Sequence, residues 1–374
     1  HSQAFPERTF GADLVVGQKE KFNLPDFLGR SGVFVDSPVT HSLEPVDIGD
    51  LVPGRTRVFL KIQDGCDRGC FYCIVPKARG VPRSRPAEEI LGALEGLHRN
   101  GVQEVVLTGI EVSAYRDNLW ELDLKGLLAL FDKAPTPPRI RLSSVDPRYI
   151  DESFVDVIRR STKLAPSIHI PLQSGCDRVL SRMNRQYDTK AVWNLVSLLQ
   201  TEITGIGIGL DVIAGFPGET DEEFAETYRF LEALNVYYLH VFPFSPREGT
   251  VAWSMDNQVA AEKKRDRVRL LKKLDSAKRR GFYGQFLGKT FSVVVEGKQF
   301  GRSFMKGFTD NYIPVYVPSS EELAGSMVQV RLTGIDGDRV QGDVVVSTTG
   351  EAGQEGHGGE HMKGRPAGGQ GGGV

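Results

Sequence analysis

An α/β fold is predicted, built as a partial, TIM-like (β/α)6 barrel followed by a small all-β barrel. Three observations predict it. From about residue 57, short apolar runs alternate with amphipathic stretches. The alternation ends in a basic helical stretch at roughly 258–283, and beyond it the chain changes to short β-branched runs separated by Gly and Asp.

The six strand candidates are VFLKIQ, EVVLTG, RIRLSS, SIHIPL, GIGLDVIAG and YYLHVFPF. Between them the helices carry start signals: Pro86 can occupy a first helical position with Glu88 and Glu89 in the first turn, and Thr220 with Glu223 fits a capping box. Six parallel units rather than eight predict an open barrel, with its chemistry at the C-terminal ends of the strands. In the last segment FSVVVEG, IPVYVP, SMVQVRLTGI and DVVVS read as strands, and the DGD at 336–338 reads as a turn. The expected organisation is an N-terminal remnant and linker at 1–54, the barrel at 55–284, the β domain at 285–347 and a disordered Gly-rich tail at 348–374, where His357 and His361 read as solvated. The opening GADLVVGQKEKFNLPDFL reads as a strand end and a short helix entered in mid-pattern, so an upstream domain is expected.

Composition is that of a soluble, cytoplasmic chain: 374 residues, 40% hydrophobic and 25% charged, without an apolar run of membrane-spanning length. A net charge of -2 gives no global attraction to nucleic acid, so any such binding rests on local basic patches.

Three of the four cysteines fall in IQDGCDRGCFYCIVP as C-x3-C-x2-C, directly after the first barrel strand. Disulfides are not needed by a chain of this size. Cys66, Cys70 and Cys73 can hold three irons of a 4Fe-4S cluster and leave the fourth iron open to a substrate. A structural zinc site wants four closed ligands; the remaining cysteine, Cys176, lies about a hundred residues away and the motif has no His. Zinc or a chance thiol group is the alternative.

With this spacing, the aromatic Tyr72 before the third cysteine and the position after a first β-α barrel strand, the motif resembles the radical S-adenosylmethionine (SAM) superfamily. KARGVPRSRP, LTGIEVSAY, RLSSVDP, HIPLQSGCDRVLSRMNR and DVIAGFPGET narrow the resemblance to the methylthiotransferase branch. The resemblance implies that SAM chelates the open iron and is split to methionine and a 5'-deoxyadenosyl radical. It implies that Tyr72 packs near the adenine, and that Thr108 and Gly109 admit the SAM amino group. Ser144 and Asp146 lie close by, Gln173 and Ser174 bond ribose hydroxyls, and Arg185 offers a planar fork to the methionine carboxylate. The backbone of Gly215 and Phe216 would meet adenine. Glu219 reads as a first-turn carboxylate, and Cys176 as a buried small residue or a thiol near the SAM site. Members of the branch also carry a second 4Fe-4S cluster on three N-terminal cysteines, which are not in this sequence.

The last segment resembles a TRAM domain, an RNA-binding barrel of tRNA-modifying enzymes. It offers Phe308, Asn311 and Tyr312 for RNA contact, with Phe304 and Tyr316 equally suited to a core. Arg79, Arg83 and Arg85 beside the cysteine loop, and Lys263, Lys264, Lys272, Lys273, Arg279 and Arg280 on the basic helix, are candidates for phosphate contact; solvated surface charge is the plain alternative. Val268, Leu271 and Leu274 form that helix's apolar stripe. GFTDNYIPVYV, LQSGC and LTGIEVSAY resemble the group acting on N6-threonylcarbamoyladenosine at position 37 of tRNA, in the anticodon stem-loop. Siblings act on isopentenyladenosine-37 or a ribosomal-protein aspartate. The expected partners are tRNA, an electron donor and a sulfur donor. A non-catalytic iron-sulfur tRNA-binding module and a methylating radical enzyme are the readings of other kinds.

Overall fold

In the computed structural model the described residues are 11–17, 20–36, 43, 56–300, 303–318 and 323–345; the expected tail at 348–374, with His357 and His361, lies outside them. Six strands carry the first body: β1 (Arg57–Lys61), β2 (Glu104–Thr108), β3 (Arg139–Leu142), β4 (Ser167–Gln173), β5 (Gly207–Ala214) and β6 (Tyr238–Pro243). They pair in parallel as β1-β2-β3 and β4-β5-β6, and parallel bridges at Ile140–Leu164 and Ser144–His169 join the two sets into one curved, open wall.

Outside the wall lie α1 (Ala87–Arg99), α2 (Leu124–Leu130), α3 (Glu152–Arg160), α4 (Asp177–Arg182), α5 (Thr189–Glu202) and α6 (Asp221–Ala233). Their starts follow local chemistry. Asp123, Asp151 and Asp188 accept from backbone N–H groups at the starts of α2, α3 and α5, and Thr220 with Glu223 closes the capping box of α6. Pro86 caps α1 from outside, one residue before the expected helical position. Val58, Leu60, Val105, Leu107, Ile140, Ile170 and Leu210 turn outward from the strands and bury against Ile90, Leu94, Leu127, Phe154 and Leu199 of the helices, which makes one continuous core.

The basic helix α7 (Ala261–Gly284) docks by its apolar stripe: Leu271 and Leu274 belong to that core and Val268 packs on it. A closed five-stranded barrel follows, made of β7 (Thr290–Phe300), β8 (Phe304–Thr309), β9 (Pro314–Pro318), β10 (Met327–Asp336) and β11 (Arg339–Val344) in the order β7-β8-β9-β11-β10. Two expectations shift here. GFT, the start of the segment GFTDNYIPVYV that offers Phe308, is the end of strand β8, and the last strand begins directly after the DGD turn rather than at Asp343. Near the N-terminus, Leu14–Val16 pairs in parallel with Gly32–Phe34, flanking a 3-10 segment at Glu20–Phe27.

The β-barrel seals the N-terminal end of the parallel wall. Glu104, fully buried at the start of β2, faces Arg57 at 3.6 Å, Arg139 at 3.5 Å and Arg141 at 3.1 Å. The same guanidinium groups cross to the β-barrel: Arg139 donates to the Phe308 and Ser292 carbonyls, and Arg141 to those of Asp310 and Thr309. The β8–β9 turn seats in the opening. Asn311 Nδ2 donates to the Gly205 carbonyl at 3.1 Å, and a Cβ on Gly207 would sit 2.3 Å from the Asn311 oxygen, so only glycine permits this approach. Tyr312, at φ +73°, stacks on Phe308 beneath Arg57 and Arg141. Phe308 and Asn311, expected as RNA contacts, are therefore buried in this joint.

Candidate active site at the mouth of the parallel barrel

Beyond β1 the chain makes a two-residue strand, Gln63–Asp64, paired with Arg83–Ser84, and the cysteine loop runs between them. Gly65 starts the loop at φ +79°, where a Cβ would stand 2.0 Å from the Val81 carbonyl oxygen. The Cys66 amide donates to the Gly80 carbonyl, the Phe71 amide to Met183, and Asn184 Nδ2 to Gly69. The loop is thus held from both sides before any ligand arrives.

Cys66, Cys70 and Cys73 are unpaired and half-buried, and the three thiols interact electrostatically with one another. Burial pushes the Cys66 thiol up to about 11, with Glu111 and the other two thiols adding to the rise, and burial likewise raises Cys73. Such thiols keep their protons until a metal replaces them. Arg185 Nη1 lies 3.1 Å from Cys70 Sγ, supplying positive charge where thiolate charge would gather. Three convergent thiols, no fourth protein thiol in the loop and an adjacent guanidinium fit a 4Fe-4S cluster with an open iron, and do not fit a closed tetrahedral zinc site.

Around the loop the predicted residues divide. Tyr72, Ser144 and Gln173 line the cavity that opens beside the cysteines; Gln173 does so at φ +74°, at a register shift of β4. Asp146 is buried and holds Arg148 at 2.9 Å and Arg185 at 3.6 Å. Burial alone would raise its carboxyl, but Arg148 and Arg185 outweigh that and hold it below the usual range. Asp146 therefore orients Arg185. Thr108 ends β2, and Gly109 packs on the Gln63 side chain, where a Cβ would meet Oε1 at 2.9 Å.

Ser174 and Phe216 do not face the cavity with their side chains. Ser174 Oγ pairs with Thr227 Oγ1 at 3.1 Å, and Phe216 is buried edge-on against Phe244. Gly215 carries Lys264 against its Cα, and its amide donates to Glu219 Oε2 at 2.6 Å. Cys176 is buried with Sγ 2.9 Å from Glu226, in the same cluster as Phe216 and Met183.

The basic candidates separate in the same way. Arg79 and Arg83 approach Asp64 at 3.5 and 3.4 Å, and Arg85 is buried, pairing with Glu89 and donating to the Lys61 carbonyl. Lys264 donates to the Phe244 carbonyl, and Arg279 pairs with Asp275 over the Tyr238 ring. Lys263 is exposed beside Asp221, Arg280 is exposed near Asp338, and Lys272 and Lys273 are exposed. The outward basic face is smaller than the sequence count implied.

Several residues of the site escaped sequence reasoning. Gln63, fully buried, donates to the Asp64 and Gly65 carbonyls and accepts from the Glu111 amide, stapling the loop after β2 to the cysteine loop. Glu111 is raised by burial beside Asp146, near Cys66. Arg267, buried in α7, pairs with Glu219 at 2.6 Å and donates to the Glu219 and Thr220 carbonyls, which locks the GFPGE loop. Three interior residues, His169 on β4, Asp211 on β5 and His240 on β6, meet inside the wall: His169 Nε2 and His240 Nδ1 lie 3.0 and 3.1 Å from the same Asp211 oxygen. A cavity of about 730 Å³ runs past them from Tyr312 at the sealed end to Tyr72 and Arg247 at the cysteine end. Strand alternation places each of the three on the interior face; only the pairing order brings them together.

A three-cysteine loop at the C-terminal mouth of an open parallel barrel defines the radical SAM class, and the radical SAM superfamily model matches residues 60–231. Within the class, the chain is 34% identical over 336 residues to the threonylcarbamoyladenosine tRNA methylthiotransferase MtaB of Bacillus subtilis, covering 86% of this chain and 74% of that one. It is also 34% identical over 349 residues to the tRNA-2-methylthio-N(6)-dimethylallyladenosine synthase of Symbiobacterium thermophilum, covering 90% and 74%. Among solved structures, coproporphyrinogen III oxidase of Escherichia coli aligns with a TM-score of 0.45 at 19% identity over 62% of this chain and 55% of that one. The chain belongs to the radical SAM tRNA methylthiotransferase family and is an enzyme of that family. Among the described residues no helix is long and apolar enough to cross a membrane.

Proposed function

We propose that the enzyme adds a methylthio group to C2 of N6-threonylcarbamoyladenosine at position 37 of tRNA. Bound at the cysteine loop, a 4Fe-4S cluster and SAM would supply a 5'-deoxyadenosyl radical. Cys66, Cys70 and Cys73 would hold the iron, and Arg185, fixed by Asp146 and Tyr187, would bind the methionine end. Tyr72 and Gln173 would line the SAM side of the cavity.

The observation that carries the choice of nucleoside is the interior of the parallel barrel. Phe59, Phe242 and Phe244 line the cavity as aromatic surface for a purine, while His169, Asp211, His240 and Arg247 present hydrogen-bonding and charged groups along the same cavity. An isopentenyl group would desolvate those groups and satisfy none of them. A threonylcarbamoyl group brings urea N–H groups, a hydroxyl and a carboxylate, and Arg247 has no ion-pair partner among the described residues to compete for that carboxylate.

The five-stranded barrel, read as a TRAM domain, and the exposed Lys263, Lys272, Lys273 and Arg280 would form the tRNA platform, with phosphates rather than bases as their targets. An electron donor and a sulfur donor complete the reaction. A second cluster serving as sulfur carrier would need three more thiolates, and Cys176 is the one cysteine of this sequence outside the loop, so such a cluster would stand on other residues.

The test is nucleoside mass spectrometry on tRNA from cells that lack endogenous methylthiolation and express the enzyme together with the residues that carry the second cluster. Methylthio-threonylcarbamoyladenosine is the expected product; methylthio-isopentenyladenosine alone would overturn the assignment.

A further inference from the structure

The His169–Asp211–His240 group has no part in holding the cluster or SAM, yet it occupies the middle of the cavity. Both imidazoles address one carboxylate oxygen, and the far nitrogens, His169 Nδ1 and His240 Nε2, have no hydrogen-bond partner among the described residues. The rings are pre-set: His240 lies edge-on to Phe242 with centroids 4.1 Å apart, and Tyr238 packs against both imidazoles. Asp211 is half-buried. Gly209 leaves room beside the pair, since a Cβ there would fall 2.9 Å from His169 Nδ1. Two unused ring nitrogens with fixed orientation, each an acceptor when its ring's proton is donated to Asp211, make with the shared carboxylate a site for a ligand that donates hydrogen bonds.

Resting on the nucleoside assignment above, we propose that His169, Asp211 and His240 form the specificity site for the N6 substituent of the target adenosine, a ureido group bearing a hydroxyl and a carboxylate. Asp211 fixes the two rings by accepting their N–H groups; the imidazole nitrogens that remain accept from the substituent's N–H and hydroxyl groups. Rejection of an apolar substituent follows from the same groups, because it would leave them buried and unpaired.

The experiment measures binding of cluster-reconstituted full chain to three anticodon stem-loop RNAs that differ only at position 37: threonylcarbamoyladenosine, isopentenyladenosine or unmodified adenosine. The readout is the ratio of affinities within one preparation, so partial loss of folded protein cancels. The wild-type chain should prefer the threonylcarbamoyl RNA. His240→Leu and His169→Leu should each lower that preference roughly tenfold, the size of one lost hydrogen bond to a charged or polar partner. His240→Gln, which keeps a donor and an acceptor, should restore part of it. If the wild-type preference is present and both Leu variants retain it in full, the specificity site is wrong while the nucleoside assignment stands. If the wild-type chain shows no preference or favours isopentenyladenosine, the nucleoside assignment itself falls.

Discussion

Replacing Glu104 with Gln removes the buried carboxylate that Arg57, Arg139 and Arg141 share at 3.1 to 3.6 Å. Breaking a buried ion pair from one side costs about 3–5 kcal/mol, because the partner charges stay behind without compensation. Here the low end is expected, about 3 kcal/mol, since Arg57 keeps Glu296 and the other two keep carbonyl acceptors on the β-barrel. For a body of this size that is a fall in Tm of roughly 6–12 °C. The pH dependence adds a second signature. Burial works to raise the Glu104 carboxyl, but Arg141, Arg139 and Arg57 outweigh it and hold it below its ordinary value. Its contribution is therefore complete above the unfolded-state value of about 4.3 and is lost as pH falls through the lower folded-state value. Urea denaturation of the wild-type and Glu104→Gln chains should differ by a constant amount between about pH 6 and pH 8, and the gap should close in acid. The variant should also be cut faster by protease between Tyr283 and Thr290, where the two bodies join. A loss below about 1 kcal/mol at neutral pH, or a gap that persists in acid, would refute the claim that this carboxylate holds the joint.

Four further outcomes follow from the site. Gly65→Ala should prevent cluster loading, read by visible absorbance, because its Cβ collides with the Val81 carbonyl oxygen. Arg267→Met should weaken SAM binding and cost about 3 kcal/mol or more, measured by calorimetry and denaturation, because Glu219 is left buried beside the GFPGE loop without its partner. Cluster reconstitution should speed up as pH is raised from about 7 to 8.5, because burial raises Cys66 and Cys73 and iron must displace their protons. Replacing Lys272 and Lys273 together with Gln should flatten the salt dependence of tRNA binding by about 1.5 in log–log slope, with both chains remaining folded.

Much of the fold could be read from local pattern. All six wall strands fall where apolar runs predict them, and the capping box of α6 and the apolar stripe of α7 are local signals met by local structure. The cysteine motif is equally local: its ligands sit on one loop, so spacing alone places them. What escaped is non-local. The β8–β9 turn carries aromatic and amide side chains, which by composition suit RNA, but arginines about 170 residues earlier claim its carbonyls. Arg79 and Arg83 read as phosphate contacts or, alternatively, solvated charge, and only the hairpin that brings Asp64 beneath them shows a partner within the chain. Ser174 looks like a ligand contact from its place after β4, yet Thr227 on α6 takes its hydroxyl. The interior triad comes from three strands, and only the order β4-β5-β6 makes neighbours of His169, Asp211 and His240.

Anaerobic reconstitution of this chain with iron and sulfide, followed by reduction in the presence of SAM and quantification of 5'-deoxyadenosine, tests directly whether Cys66, Cys70 and Cys73 form the radical-generating centre. The wild-type chain should hold about one four-iron cluster at this loop and release 5'-deoxyadenosine. Cys66→Ala, Cys70→Ala and Cys73→Ala should each abolish both, while Cys176→Ala, whose thiol is buried against Glu226, should retain both. Equal loss of iron in Cys176→Ala, or SAM cleavage that survives removal of any of the three loop cysteines, would contradict the assignment.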